Sequence, residues 1–262
     1  MITPQEMFWK IGDNPNKLPY NSQIEHPFSY ILNTIVANTI WGLRGNVMTS
    51  GVENLPKDGP YALMPKHSDL LDIPVVGKSL LDFTGNTAAF LFKKELSEVE
   101  FKSIRLGPII KWWFERCGAI MYDRHATVEQ QPEVAQKIGK VMLRGGIFIS
   151  FIEGTRVRGG VLGKTDKGIA MLAVQHGVIL IPTGVSGTEE REGIYTVHFG
   201  EGLNQERVQI DRSSDNRAFV KAARRIANGI DPGMQDALEK ARARRGEELK
   251  KRNQQLVVVG RH

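Results

Sequence analysis

EVAQKIGKVMLRGGIFISF, residues 133–151, decides the fold class. The amphipathic run Glu133–Arg144 predicts a helix, and Gly145–Gly146 stops it, because glycine takes the left-handed backbone that closes a helix. Ile147–Phe151 then reads as a strand and feeds a loop, Glu153–Gly163, that is rich in glycine and arginine. The same order follows in KGIAMLAVQHGVILIP, residues 167–182: a helix over Lys167–His176, a stop at Gly177, a strand over Val178–Ile181 and an end at Pro182.

Upstream, Tyr61–Met64, Ala88–Phe92 and Ala119–Tyr122 read as strands, and Trp112-Trp113-Phe114 belong to an aromatic helix. Downstream, the strand Tyr195–Phe199 precedes a last pair of helices. Strands separated by helices predict an α/β domain, with a mainly parallel or mixed sheet covered by helices. Functional loops then gather beyond the strand ends.

Before this domain, Pro4, Pro15 and Pro19 mark an irregular arm, and an amphipathic helix is expected to start at Pro27. Seven of the eight positions 28, 31, 32, 35, 36, 39, 40 and 43 are apolar, at helical spacing. About 16 residues rise about 24 Å, less than the ~30 Å of a hydrocarbon core, so the segment is not a convincing membrane span. It either packs on the core or lies in a membrane interface with Tyr30 and Trp41 near the headgroups. The expected organisation is an arm and helix over 1–45, one domain over 46–232 and a basic helical tail over 233–262.

Hydrophobic residues make up 41% and charged residues 24% of 262, which excludes disordered, collagen-like and coiled-coil classes. Cys117 is the sole cysteine, so no internal disulfide forms, and a cytoplasmic location is expected. The first residues, MITPQEMFWKIGDN, lack the order of a secretory signal. Of the net charge of +6, Lys221–Arg252 contributes +5, with ten Lys/Arg against five Asp/Glu. Such a basic stretch fits a solvated helix, a nucleic acid or an anionic leaflet, and charge alone does not choose.

Three loop segments carry the chemistry, each after a predicted strand. In Lys66-His67-Ser68-Asp69-Leu70-Leu71-Asp72, His67 can take a hydroxyl proton near neutral pH if a carboxylate fixes its tautomer. Asp72 and Asp69 are rival partners, and either can instead cap a helix. In Phe151-Ile152-Glu153-Gly154-Thr155-Arg156, the guanidinium offers a planar fork for phosphate. Thr155 and the amides near Gly154 add donors, and Glu153 either holds a polyol hydroxyl or orients Arg156. In Gly118-Ala119-Ile120-Met121-Tyr122-Asp123-Arg124, Arg124 offers a second phosphate ligand. The other histidines are too scattered for a metal site, and none is expected.

Together, in this order, the three segments resemble the glycerolipid acyltransferase family, which includes bacterial 1-acylglycerol-3-phosphate acyltransferases. The resemblance runs over about residues 28–200, beginning with Gly51-Val52-Glu53-Asn54-Leu55-Pro56. It implies that His67 is the general base and Asp72 its orienting acid. It further implies that Arg124, Glu153, Gly154, Thr155 and Arg156 bind the acceptor's phosphate end. Val178–Pro182 matches the fourth block, and Lys93-Lys94-Glu95-Leu96, with Lys93 a candidate substrate ligand, and Lys167-Gly168 also match. The sequence departs from the family at Asp69, where serine is usual, and at Ile152, where proline is usual; both lie beside the implied pocket.

The implied activity is transfer of a fatty acyl group from an acyl thioester to a glycerophosphate hydroxyl, most simply that of 1-acylglycerol-3-phosphate, in phospholipid biosynthesis. The implied donor is acyl-CoA or acyl carrier protein, with no cofactor, at the inner face of the cell membrane. Three other readings stand beside it, the first an acyltransferase for another polyol or glycolipid acceptor. The same His–Asp pair in a thioesterase activates water, and a nucleic-acid-binding protein would use the basic helix; no nucleic-acid module is recognisable, so no such partner is expected.

Overall fold

In the computed structural model the described residues are 46–69, 71–94, 100–101, 104–105, 111–112, 115, 118–123, 132–153, 156–159, 161–164, 168–190, 193–211 and 214–259. The amphipathic helix expected over 28–43 lies outside them. In chain order the elements are β1 (Asn46–Ser50), β2 (Tyr61–Pro65), α1 (Asp72–Thr84), β3 (Ala89–Lys93), β4 (Glu100–Phe101), β5 (Ile104–Arg105) and β6 (Ala119–Tyr122). These are followed by α2 (Pro132–Leu143), β7 (Ile147–Ile149), α3 (Ile169–His176), β8 (Ile179–Ser186), β9 (Ile194–Phe199) and α4 (Asn216–Val259).

The two helix–glycine–strand units form as their sequences predict. Gly145 and Gly177 take φ of 72° and 62°, and each turns the chain from a helix toward the next strand. Seven strands make one sheet in the order β1-β9-β8-β2-β7-β3-β6, with β4 and β5 as a separate antiparallel pair. Within the seven-stranded sheet only the β8–β9 pair is antiparallel. β2 lies between two parallel neighbours, pairing Tyr61 with both Ile147 and Ile179. All five of its residues are buried, as a central parallel strand requires. The side chains that alternate along it divide between two cores. Leu63 packs with Val75, Val76 and Leu80 of α1 on one face. Ala62 and Met64 pack with residues of α2, α3 and α4 on the other.

Several elements differ from the sequence reading, among them β1, β8 and α4. β1, which the sequence does not advertise, is an edge strand paired in parallel with β9, from Asn46↔Ile194 to Ser50↔His198. β8 does not end at Pro182 but runs to Ser186. Pro182 stands opposite Gly200, the first residue after β9, whose amide donates to its carbonyl at 2.8 Å. The amide that proline lacks therefore falls at the end of a ladder, where the loss is tolerated.

The expected last pair of helices is a single 44-residue helix, α4, with Pro232 inside it. Its buried residues Phe219, Ala223, Ile226, Ile230, Met234, Ala237 and Ala241 recur at steps of three and four, so one stripe faces the sheet from Phe219 to Ala241. The helix therefore crosses the expected 232/233 division without a break, and Met234, Ala237, Leu238 and Ala241 beyond it belong to the core. At Gly184 of β8 an added Cβ would lie 2.0 Å from the carbonyl oxygen of Ala237, so glycine is what lets strand and helix backbones touch. Among the described residues no helix is long and apolar enough to cross a membrane.

Candidate active site

β2, β3, β6, β7 and β8 point the same way, so the segments that follow them emerge at one edge of the sheet. His67 lies two residues past the end of β2, and Asp72 is the first residue of α1. The chain between them makes one tight turn, closed by the Asp72 amide donating to the Asp69 carbonyl at 3.2 Å.

Within that turn His67 Nδ1 approaches Asp72 Oδ2 at 3.1 Å. The same oxygen accepts the amides of Ser68 at 2.6 Å and Asp69 at 2.8 Å. The other oxygen, Oδ1, accepts the Thr188 hydroxyl at 2.6 Å. Four donors thus converge on a carboxylate that is 0% exposed, at a helix N-terminus where the peptide dipoles favour negative charge. A carboxylate ringed by donors accepts, so the proton of neutral His67 sits on Nδ1 and Nε2 keeps its lone pair. The Phe151 ring lies 4.3 Å from the imidazole, centroid to centroid, and packs it in place. Of the two rival carboxylates, Asp72 therefore meets the ring. Asp69 instead takes the Leu71 amide on Oδ1 at 3.0 Å.

The segment after β7 is latched onto this turn. Glu153 is buried, and its Oε2 accepts the His67 amide at 2.7 Å while its Oε1 accepts the Gly163 amide at 2.6 Å. The Val157 amide donates to the His67 carbonyl at 2.7 Å. Lys66, 1% exposed, reaches the Val157 carbonyl at 2.6 Å and also the Ser68 hydroxyl. Both oxygens of Glu153 hold main-chain amides, so it fixes the backbone of the histidine.

Arg156 is exposed, next to the pinned Val157. Lys93 is the last residue of β3, paired with Tyr122, so its backbone stands at the same edge. Arg124, Gly154 and Thr155 lie outside the described residues. The structure thus brings together His67, Asp72 and Glu153, with Arg156 nearby in the chain.

Three residues of the network escaped the sequence reading. Thr188 belongs to the polar run Ser186-Gly187-Thr188-Glu189-Glu190 that follows β8, and ending that strand at Pro182 placed the loop four residues too early. Glu189 Oε2 accepts the Gly159 amide at 3.2 Å, which joins this loop to the one after β7. Lys66 was visible beside His67, but nothing in its neighbours announced that its ammonium would be buried.

The sequence pattern of the family described as Acyltransferase matches residues 46–186, more than half of the chain. The chain belongs to the glycerolipid acyltransferase family. The matched span runs from β1 to the end of β8 and holds the turn bearing His67 and Asp72 as well as the segment after β7. Relatives include the chloroplastic 1-acyl-sn-glycerol-3-phosphate acyltransferase LPAT1 of Arabidopsis thaliana, 29% identical over 142 residues, or 53% of this chain and 35% of that one. The chloroplastic 1-acyl-sn-glycerol-3-phosphate acyltransferase BAT2 of Brassica napus is 28% identical over 139 residues, or 53% of this chain and 36% of that one. The chain spans about a third of the length of these curated relatives. Among solved structures, the 1-acyl-sn-glycerophosphate acyltransferase PlsC of Thermotoga maritima superposes with a TM-score of 0.51 and 21% identity over 87% of each chain. At that identity the likeness speaks for the fold of the family, a mostly parallel sheet clothed in helices.

Proposed function

We propose that this chain transfers a fatty acyl group from an acyl thioester to a hydroxyl of a glycerophosphate acceptor, with 1-acylglycerol-3-phosphate the first candidate. The observation that carries the proposal is His67 Nδ1 held 3.1 Å from the buried carboxylate of Asp72, which leaves Nε2 to accept a proton. Membership of a family of acyltransferases supports the choice of acyl chemistry. The names of the plant relatives support the choice of acceptor.

The acceptor hydroxyl gives its proton to His67 Nε2 as its oxygen attacks the thioester carbonyl. The tetrahedral adduct collapses, the carbon–sulfur bond breaks, and the departing thiolate takes the proton back from the imidazolium. Asp72 supports that imidazolium while it exists. The acyl group passes directly to the acceptor without an acyl-enzyme. The donor is acyl-CoA or acyl carrier protein, and no cofactor takes part. Exposed Arg156 binds the acceptor phosphate, assisted by Arg124, Thr155, the Gly154 amide and Lys93. The reaction takes place on the inner, anionic face of a membrane, which the basic residues of Lys221–Arg252 help the chain to meet.

The test is thiol release from palmitoyl-CoA, with and without lysophosphatidate, by wild type and His67→Ala. Release that needs both the acceptor and His67 is the expected result, with the variant slowed by about 10²–10⁴. Release of equal rate without the acceptor would make the chain a thioesterase. In the same assay Arg156→Ala raises the acceptor KM with little change in kcat, and an unchanged KM would remove Arg156 from the phosphate site.

A further inference from the structure

The loop after β8 touches both the turn that bears Asp72 and the segment after β7, and none of its residues has a role in the mechanism above. Thr188 is 2% exposed, and its hydroxyl is the one donor on Asp72 Oδ1 among the described residues. The remaining three donors all crowd onto Oδ2, and the longest of those contacts is the one to His67, at 3.1 Å against 2.6 and 2.8 Å. Rotation about the Cβ–Cγ bond carries both oxygens, and donors on Oδ2 alone oppose it from one side only. A donor on the second oxygen fixes the plane, and with it the direction in which Oδ2 presents itself to Nδ1.

Thr188 is itself held firmly. Gly187 turns the chain with φ of 96°, so tightly that an added Cβ would lie 2.1 Å from the Ile194 carbonyl oxygen. Two residues on, Glu190 is paired with Arg245 of α4 at 3.0 Å, and that guanidinium is only 12% exposed. Between them, Glu189 takes the Gly159 amide from the neighbouring segment. Threonine also brings a side chain stiff at χ1, so its hydroxyl arrives with little rotational freedom to lose.

We infer that Thr188 is a positioning residue for acyl transfer: it fixes the carboxylate of Asp72, and through it the ring of His67, while the Glu190–Arg245 pair holds the loop from outside. The inference rests on the general-base reading of His67 and deepens it. Thr188 touches no reacting atom, so its removal acts on the rate of the chemical step and not on substrate binding.

The experiment compares Thr188→Val, Thr188→Ser and Glu190→Gln with wild type in acceptor-dependent thiol release, with His67→Ala alongside and the thermal unfolding of each variant recorded. Valine keeps the shape of threonine and removes the hydroxyl. The expected result is a fall in kcat of about 10- to 100-fold, the worth of a hydrogen bond to a charged group, with the acceptor KM within about twofold. Serine restores kcat to within about threefold of wild type. Glu190→Gln changes a partly exposed side chain and so keeps the fold even if the valine variant does not. It is expected to lower kcat by a smaller factor, again without moving KM.

A folded valine variant with wild-type kcat overturns the inference, and so does a rise in KM at constant kcat. Failure of serine to rescue assigns the effect to shape and also overturns it. If the valine variant does not fold, wild-type kcat in Glu190→Gln has the same force. An undiminished rate in His67→Ala instead refutes the general-base reading, whereas a His67-dependent rate that ignores Thr188→Val refutes only the positioning role.

Discussion

Replacing Asp72 with asparagine separates the charge of this site from its shape. With the amide oxygen in the place of Oδ2, the Ser68 and Asp69 amides and His67 Nδ1 keep an acceptor. The amide nitrogen then faces Thr188 Oγ1, which turns to accept instead of donate. Four charge-assisted hydrogen bonds become neutral ones, at a cost of about 1 kcal/mol each. The removed desolvation of a carboxylate that is 0% exposed offsets part of that sum. The remainder is within the 5–15 kcal/mol typical of a domain, so the variant folds, with a lowered Tm. The rate suffers more. Opposite unit charges 3.1 Å apart attract by about 5 kcal/mol at an effective dielectric constant of about 20, or about 10⁴-fold in rate. The charges are spread over whole groups, so that figure is a ceiling, and the expected loss of kcat is about 10²–10⁴. The assay is lysophosphatidate-dependent thiol release per folded molecule. A folded Asp72→Asn variant that keeps more than about a tenth of wild-type kcat refutes the argument that Asp72 supports the imidazolium.

Glu153→Gln leaves one of two amides, the buried one of His67 or the half-buried one of Gly163, facing an NH2 group, at about 1–3 kcal/mol; calorimetry should show Tm lower by several degrees, and an unchanged Tm would mean that the staple is not needed. Gly184→Ala drives a methyl into the Ala237 carbonyl oxygen and should cost about 1–3 kcal/mol or more in urea unfolding; equal stability would show that α4 does not rest on the β8 backbone. Burial, followed by the positive charge of Lys240, holds the pKa of His198 below 6.5, and burial does the same to His176. Because the unfolded chain then binds protons more readily, the stability given by each neutral ring is complete above pH ~6.5 and is lost as pH falls through the folded value. His198→Gln should flatten that acid slope, and an unaltered slope would exclude His198 as a contributor.

How far the sequence could be read depended on the range of the interactions that decide each feature. Gly145 and Gly177 end their helices through their own backbone angles, so both helix–strand units were legible. His67 and Asp72 meet within one turn, which makes their pairing a local matter too. The course of β8 through Pro182 depends on where β9 stops, and that is known only once the two strands have paired. The sequence reading divides the last helical stretch at 232/233, yet the stripe from Phe219 to Ala241 buries enough against the sheet to carry one helix across it. Thr188 meets a partner 116 residues away, and Glu153 one 86 residues away. Local pattern carries no signal for such contacts. For Glu153 it suggested a polyol hydroxyl or Arg156 as partner and gave no sign of the two main-chain amides its oxygens hold.

Burial divides the roles in this site. Asp72, Thr188 and Glu153 are 0%, 2% and 8% exposed, and each is occupied by protein donors or acceptors. A substrate therefore has little access to them and meets their effect only through His67, whose side chain is 11% exposed. Arg156, by contrast, is exposed and one residue from the pinned Val157, so it can bind an anion without disturbing the network behind it. An interaction shared by ground state and transition state changes KM, whereas support for a charge that appears only during reaction changes kcat. Changes at Asp72 and Thr188 should thus appear in kcat, and a change at Arg156 in the acceptor KM. A double variant, Arg156→Ala with Thr188→Val, should show the two effects independently, because they act on different quantities through separate contacts. Strong coupling between them would mean that Arg156 and the His67–Asp72 pair share a contact, and the division by burial would fall.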